Sequence, residues 1–129
     1  SKILGIKKIT FLDFPDMRLD TISHLEINQA LEKIITKIKP EIIFTTPKND
    51  LNKDHQIVFE STLVATRPFS SNVKEILTYE LPGFKKTAFN PNRYVGISNE
   101  ISHKIKAFKM YKSEIKEFPH PRSIKAIDN

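Results

Sequence analysis

The residues of this chain best suited to chemistry lie in one short run, Asp50-Leu-Asn-Lys-Asp54-His55. An imidazole can ligate a metal through a neutral ring nitrogen, and a carboxylate beside it can orient a partner. The same run also suits a plainer task. Asn52 is placed to cap a helix and Asp54 to complement the helix dipole, the usual reasons for Asn and Asp at helix starts. Both readings need the same scaffold. The apolar run Glu41-Ile-Ile-Phe-Thr-Thr-Pro47 precedes the motif, and the apolar-periodic stretch Ile57-Val-Phe-Glu-Ser-Thr-Leu-Val-Ala65 follows it. That order reads as strand, polar loop, helix, with His55 in the first helical turn. In open α/β sheets, loops leaving the carboxyl ends of strands are where ligands bind.

The elements that must position this loop follow from the pattern. Ser1 to Lys8 reads as the tail of a helix entering a strand, with Gly5 near the helix end. Ile9-Thr-Phe-Leu-Asp-Phe14 is β-rich and stopped by Pro15, which predicts a strand. Asp16-Met-Arg18-Leu-Asp20 is then a loop off its carboxyl end. Ile22 to Lys39 carries the apolar stripe Ile22, Leu25, Leu31, Ile34, Ile35 and Ile38, the spacing of a helix face, and Pro40 ends it. Glu41 to Thr46 is expected as a strand buried on both faces, because Ile-Ile-Phe is continuous. The helix after the Asp-His loop is expected over Lys53 to Thr66. Further strands are expected at Lys74 to Leu81, with Pro82-Gly83 as a turn, and at Tyr94-Val-Gly-Ile-Ser98. Ser98 or Asn99 can cap a helix running to about Glu117. Phe118-Pro-His120-Pro-Arg-Ser123 is a loop, and Ser123 starts another helix.

Alternating strands and helices imply right-handed crossovers and a mainly parallel sheet. The expected fold is therefore α/β and Rossmann-like, one domain over residues 1–129. It is expected to be incomplete at both ends, since the chain opens inside one element and closes inside a helix. Hydrophobic residues make up 39% of the sequence, which places it with globular rather than disordered chains. No apolar run approaches the length of a membrane span, and no signal peptide is visible. There are no cysteines, so any metal must be held by His and carboxylates. These features favour a cytoplasmic protein. The formal charge of +6 raises nucleic acid as a partner, but the lysines are scattered as on a solvated surface, and none is expected.

Four segments, in this order and spacing, give the chain a family resemblance. They are Leu4-Gly-Ile-Lys-Lys-Ile-Thr-Phe-Leu-Asp-Phe-Pro-Asp16-Met-Arg18-Leu-Asp20, then Pro40-Glu-Ile-Ile-Phe-Thr-Thr-Pro with Asp50 to His55, then Ala65-Thr-Arg-Pro68. The last is Phe89-Asn-Pro-Asn-Arg-Tyr-Val-Gly-Ile-Ser98, continued by Lys104 to Glu114 and His120-Pro-Arg-Ser123. Together they resemble the LmbE/PIG-L family of zinc-dependent sugar de-N-acetylases. The resemblance implies a Zn2+ hydrolase that removes an N-acetyl group from an amino-sugar derivative. It makes His55 a zinc ligand and Asp54 the acidic residue before it. Asn52 stands where many members have a histidine used as general acid. Arg18 matches an arginine near the substrate pocket. His120 matches a C-terminal histidine that lies close to the reacting carbonyl in some members.

One departure matters. The family's amino-terminal His-Pro-Asp-Asp-Glu motif, which supplies two zinc ligands and the catalytic base, is absent from the sequence. The segment by itself is expected to be inactive. A non-catalytic Rossmann-like fragment or interaction module is the alternative. A nucleotide-binding domain is disfavoured, because glycines occur only at 5, 83 and 96 and no Gly-rich phosphate loop can form. Which amino sugar is used, and whether the protein forms a homo-oligomer, stay open.

Overall fold

A computed structural model describes residues 2–81, 83 and 86–128. The predictions that fall on Ser1, on Pro82 of the turn and on Asn129 of the last helix lie outside the described residues. The chain divides into two compact units, Leu12–Asn90 and a second made of Ser1–Phe11 with Pro91–Asn129.

The first unit holds the α/β part. Helix α1, His24–Ile38, buries Ile27 and Ile35, two turns apart on one face. Leu25 and Ile38 of the expected stripe are more than half exposed. Lys39 ends the helix in the left-handed conformation, its N–H donating to the Ile35 carbonyl at 2.7 Å, and Pro40 prevents continuation. Strand β1, Ile42–Thr45, pairs in parallel with β2, Glu75–Thr78, in the register Ile42 to Glu75 through Thr45 to Thr78. Between them runs α2, Lys53–Ala65, which packs on α1 and on β1. Its buried residues are Ile57, Ser61, Thr62 and Ala65. Small side chains at 61 and 65 suit a close helix contact. Thr62 shares a buried 3.1 Å hydroxyl–hydroxyl hydrogen bond with Thr45 on β1. This strand–helix–strand unit is the α/β arrangement with parallel strands that the sequence predicts.

Three expectations are corrected. Strand β1 is not covered on both faces: Thr45 is buried and Ile43 half-buried, while Ile42 and Phe44 are exposed. Residues 9–14 form no strand. Ile9 and Phe11 are exposed, and the boundary between the two units falls between Phe11 and Leu12. Residues 94–98 are likewise irregular, with Tyr94 and Val95 exposed. Apolar β-branched and aromatic residues favour a strand only where a neighbouring strand accepts the backbone hydrogen bonds, and neither stretch has one among the described residues.

In the second unit a 3-10 turn, Lys2–Leu4, is closed by Gly5 at φ 67, a conformation that favours glycine. It packs on α3, Ile101–Phe108, which also packs on α4, Ile124–Asp128. Helix α3 stops nine residues short of the predicted Glu117. The backbone beyond it makes separate three-residue turns, Tyr111 N–H to Phe108 and Glu114 N–H to Tyr111, and Met110 and Tyr111 are exposed. Short helices depend on a packed face, which this stretch lacks. Ser123 caps α4 as expected, its buried hydroxyl accepting from the Ala126 N–H at 3.1 Å. No helix among the described residues is long and apolar enough to cross a membrane.

Candidate functional site

The loop from Thr46 to Asn52 leaves the carboxyl end of β1, and its side chains lock the start of α2. Asn52 is the N-cap, its Oδ1 accepting from the Asp54 N–H at 2.9 Å. Thr46 Oγ1 donates to the His55 carbonyl at 2.8 Å. The first turn of α2 is thereby tied at Asp54 to the helix cap and at His55 to the strand end.

Asp50 is the hub of the loop. Its Oδ1 accepts from the Asn52 N–H at 2.8 Å, and its carbonyl accepts from Gln56 Nε2 at 2.7 Å. Its Oδ2 lies 2.9 Å from His55 Nδ1. Burial alone would raise the Asp50 carboxyl. The His55 hydrogen bond, the Asn52 and Leu51 N–H groups and the charge of His55 together outweigh it and hold the group below its ordinary value of 3.8. A carboxylate at Nδ1 favours the proton there, which in the neutral ring leaves the Nε2 lone pair free. The His55 side chain is 36% exposed, and Nε2 has no hydrogen-bond partner among the described residues. An oriented imidazole that presents a lone pair to solvent can bind a metal or take a proton.

The other candidates fall into place around this pair. Asp54 does not touch the imidazole. Its Oδ1 accepts from the Leu19 N–H at 3.1 Å, which draws the Arg18 loop onto the first turn of α2. Arg18 is exposed and makes no ion pair with Asp16 or Asp20 among the described residues. Only its carbonyl is engaged, by the N–H and hydroxyl of Thr21 at 3.0 and 2.7 Å. The Asn52 amide nitrogen lies 3.6 Å from Met17 Sδ, a weak contact that leaves it free to donate elsewhere. His120 belongs to the second unit and is exposed. Its Nδ1 accepts from the Arg122 N–H at 3.0 Å, so Nδ1 is unprotonated and Nε2 carries the hydrogen. His24 and His103 are on the surface, with His24 3.9 Å from Glu60.

Sequence reasoning did not single out Asp50 as the partner of His55. The signal was there: an Asp two residues before the Asn cap forms an Asx turn, and that turn folds its carboxylate back over the helix start. Tyr79, just past the end of β2, lines a small cavity with Leu31, Ile35 and Thr62.

Parallel strands with a helix between them, and an Asp–His pair at the carboxyl end of the first strand, define an α/β protein of the parallel, helix-connected kind. The model of the PIG-L family, described as GlcNAc-PI de-N-acetylase, matches residues 1–66. The chain belongs to this family. The match contains Arg18, Asn52, Asp54 and His55 and stops short of His120. No curated protein and no solved structure matches the chain.

The family is generally zinc-dependent. The described residues do not fit a complete zinc site. No group of three or more His, Cys, Asp or Glu side chains among them could hold a metal ion. Both oxygens of Asp50 are engaged, by the Asn52 N–H and by His55 Nδ1, and one oxygen of Asp54 is engaged by the Leu19 N–H, while Nε2 of His55 has no partner among the described residues.

Proposed function

We propose that this chain contributes the Asp50–His55 part of the active site of an N-deacetylase that acts on an N-acetylated amino-sugar conjugate. The observation that carries this reading is the His55 imidazole inside the family-matched stretch. It is oriented by Asp50, and its Nε2 is open. His55 is the zinc donor of this segment, and the remaining ligands come from outside the described residues. What these residues supply directly is orientation. Asp50 holds the ring in one tautomer, Thr46 and Asn52 fix the helix start, and Asp54 carries the Arg18 loop to the same place. Arg18, whose guanidinium has no ion-pair partner among the described residues, is the group for a sugar hydroxyl or an anion. Asn52 offers an amide donor. His120 offers an Nε2–H, suited to hydrogen-bond a developing oxyanion. The imidazolium needed of a strong acid would break the Arg122 contact.

The test uses the longer protein that carries this sequence. Acetate release from N-acetylglucosaminyl phosphatidylinositol and simpler N-acetylglucosamine derivatives is expected to require zinc. His55→Ala is expected to lose both zinc and turnover. Full zinc content and turnover in that variant would contradict the assignment. Residues 1–129 alone are expected to release no acetate, and zinc-dependent turnover by them would show that the site needs nothing further.

A further inference from the structure

The chain has two methionines, Met17 and Met110, and their sulfurs are placed differently. Both side chains are well exposed, Met17 at 66% and Met110 at 70%. Met110 lies just after α3, and its sulfur has no hydrogen-bond partner among the described residues. Met17 Sδ lies 3.6 Å from Nδ2 of Asn52, the residue that caps α2 three positions before His55. Met17 and Asn52 belong to the same Leu12–Asn90 unit.

The loop builds this placement. Met17 adopts φ 57, a left-handed conformation uncommon for a side chain of its size. The residues after it hold it there. The Arg18 carbonyl accepts from the Thr21 N–H and hydroxyl at 3.0 and 2.7 Å, and the Leu19 N–H donates to Asp54 Oδ1 at 3.1 Å. Asp54 stands in the first turn of α2, so the loop is pinned to the turn that Asn52 caps. Asn52 Oδ1 is committed to the Asp54 N–H at 2.9 Å, which fixes the amide and turns Nδ2 towards the thioether. A thioether is a weak acceptor, so the amide can exchange it for a better partner.

We infer that Met17 is a modification site, at which oxidation by a peroxide turns this weak contact into a strong one and takes the Asn52 amide out of use. A sulfur lone pair attacks one oxygen of hydrogen peroxide. The O–O bond breaks, and the proton of the attacked oxygen passes to the other, which leaves as water. Sulfur loses two electrons and the peroxide gains them. The sulfoxide is polar, and its oxygen accepts the Asn52 N–H that faces it. Asn52 Oδ1 keeps its place on the Asp54 N–H, so the helix start survives and only the free donor is lost. Reduction of the sulfoxide by methionine sulfoxide reductase restores it. The consequence for turnover rests on the proposed deacetylase reading. The modification and its effect on the amide rest on the geometry alone.

Met110 gives the test an internal control. The chain is treated with hydrogen peroxide. Oxidation at each methionine is followed by peptide mass spectrometry, and the Asn52 side-chain amide by ¹H–¹⁵N NMR. Oxidation of Met17 is expected to shift the Asn52 Nδ2 resonances and to slow the exchange of one of the two protons. The shift is expected in Met110→Leu, absent in Met17→Leu, and reversed by the reductase. In the longer protein, peroxide is expected to lower acetate release by up to about tenfold, the worth of one hydrogen bond, with recovery on reduction. Met17→Leu is expected to hold its own rate under peroxide, whatever that rate is. Asn52 resonances that do not respond to full oxidation of Met17 overturn the inference. So does an active enzyme whose turnover ignores Met17 oxidation or falls equally in Met17→Leu. An Asn52 response in a protein that releases no acetate even when reduced would sink the deacetylase reading and leave the modification site in place.

Discussion

Two regions of this protein carry a histidine suited to chemistry, the first turn of α2 and the loop before α4, and they prepare it in opposite ways. At the start of α2, the Asp50 carboxylate faces Nδ1 of His55, which in the neutral ring favours the proton on Nδ1 and a lone pair on Nε2. In the loop before α4, a backbone N–H faces Nδ1 of His120, so the lone pair is on Nδ1 and Nε2 presents a hydrogen. The same side chain becomes an acceptor or ligand in one place and a donor in the other. The choice is made by the partner at the far nitrogen, not by the imidazole itself. The surroundings differ as well. His55 is held by a half-buried network reaching to the end of β1, while His120 sits in an exposed loop beside the Arg122–Glu114 ion pair.

The contrast can be broken at several points. After the loss of turnover expected on removing His55 itself, the largest effect is expected from His120. If it serves as an oxyanion donor in the longer protein, His120→Ala lowers kcat by about 10²-fold or more with little change in KM. His120→Gln, which keeps an N–H donor, restores most of the rate. Equal losses in both variants would show that the donor role is wrong. Next is Asp50. Removing the carboxylate that orients a metal-binding imidazole costs about 10- to 100-fold in metal affinity. Asp50→Ala is therefore expected to weaken zinc binding by that amount, whereas Asp54→Ala, which frees only the Leu19 N–H, is expected to weaken it less. The reverse order would reassign the orienting role to Asp54.

The Asp50 carboxyl also makes a pH-dependent contribution to stability. Because its folded pKa is depressed, the contribution is complete above the ordinary value of 3.8 and is lost as pH falls through the lower folded value. Denaturant melts of the wild type and Asp50→Asn are expected to differ between pH 5 and 7 and to converge well below pH 3.8. A gap that persists in strong acid would point to packing rather than charge. The smallest effect is the helix cap. Asn52→Ala is expected to cost about 1 kcal/mol and Asn52→Ser much less. Unchanged stability in the alanine variant would mean that Thr46 and Asp50 hold the helix start without the cap.

What the sequence revealed and what it hid follow the same division between local and distant partners. The caps at Asn52 and Ser123, the stop at Pro40 and the helix bearing His55 are decided within a few residues, and each was legible. The strands expected at Ile9–Phe14 and Tyr94–Ser98 were not formed, because a strand is completed by a partner far along the chain and composition cannot guarantee one. The continuous Ile42-Ile-Phe44 run was misleading for a related reason. It advertised two covered faces, and this structure covers one. Asp54 was favoured over Asp50 because it adjoins His55 in sequence. In a helix, neighbouring side chains diverge by about 100°, and the Asx turn brings the more distant carboxylate to the ring.

The central claim, that Asp50 sets His55 to present Nε2, is tested most directly by imidazole ¹⁵N NMR of the chain near neutral pH. Long-range ¹H–¹⁵N correlations distinguish protonated from unprotonated ring nitrogens. The expected spectrum shows His55 with a protonated Nδ1 and an unprotonated Nε2, His120 with the opposite pattern, and loss of the His55 pattern alone in Asp50→Ala. A His55 ring that carries its proton on Nε2 in the wild-type protein would contradict the account.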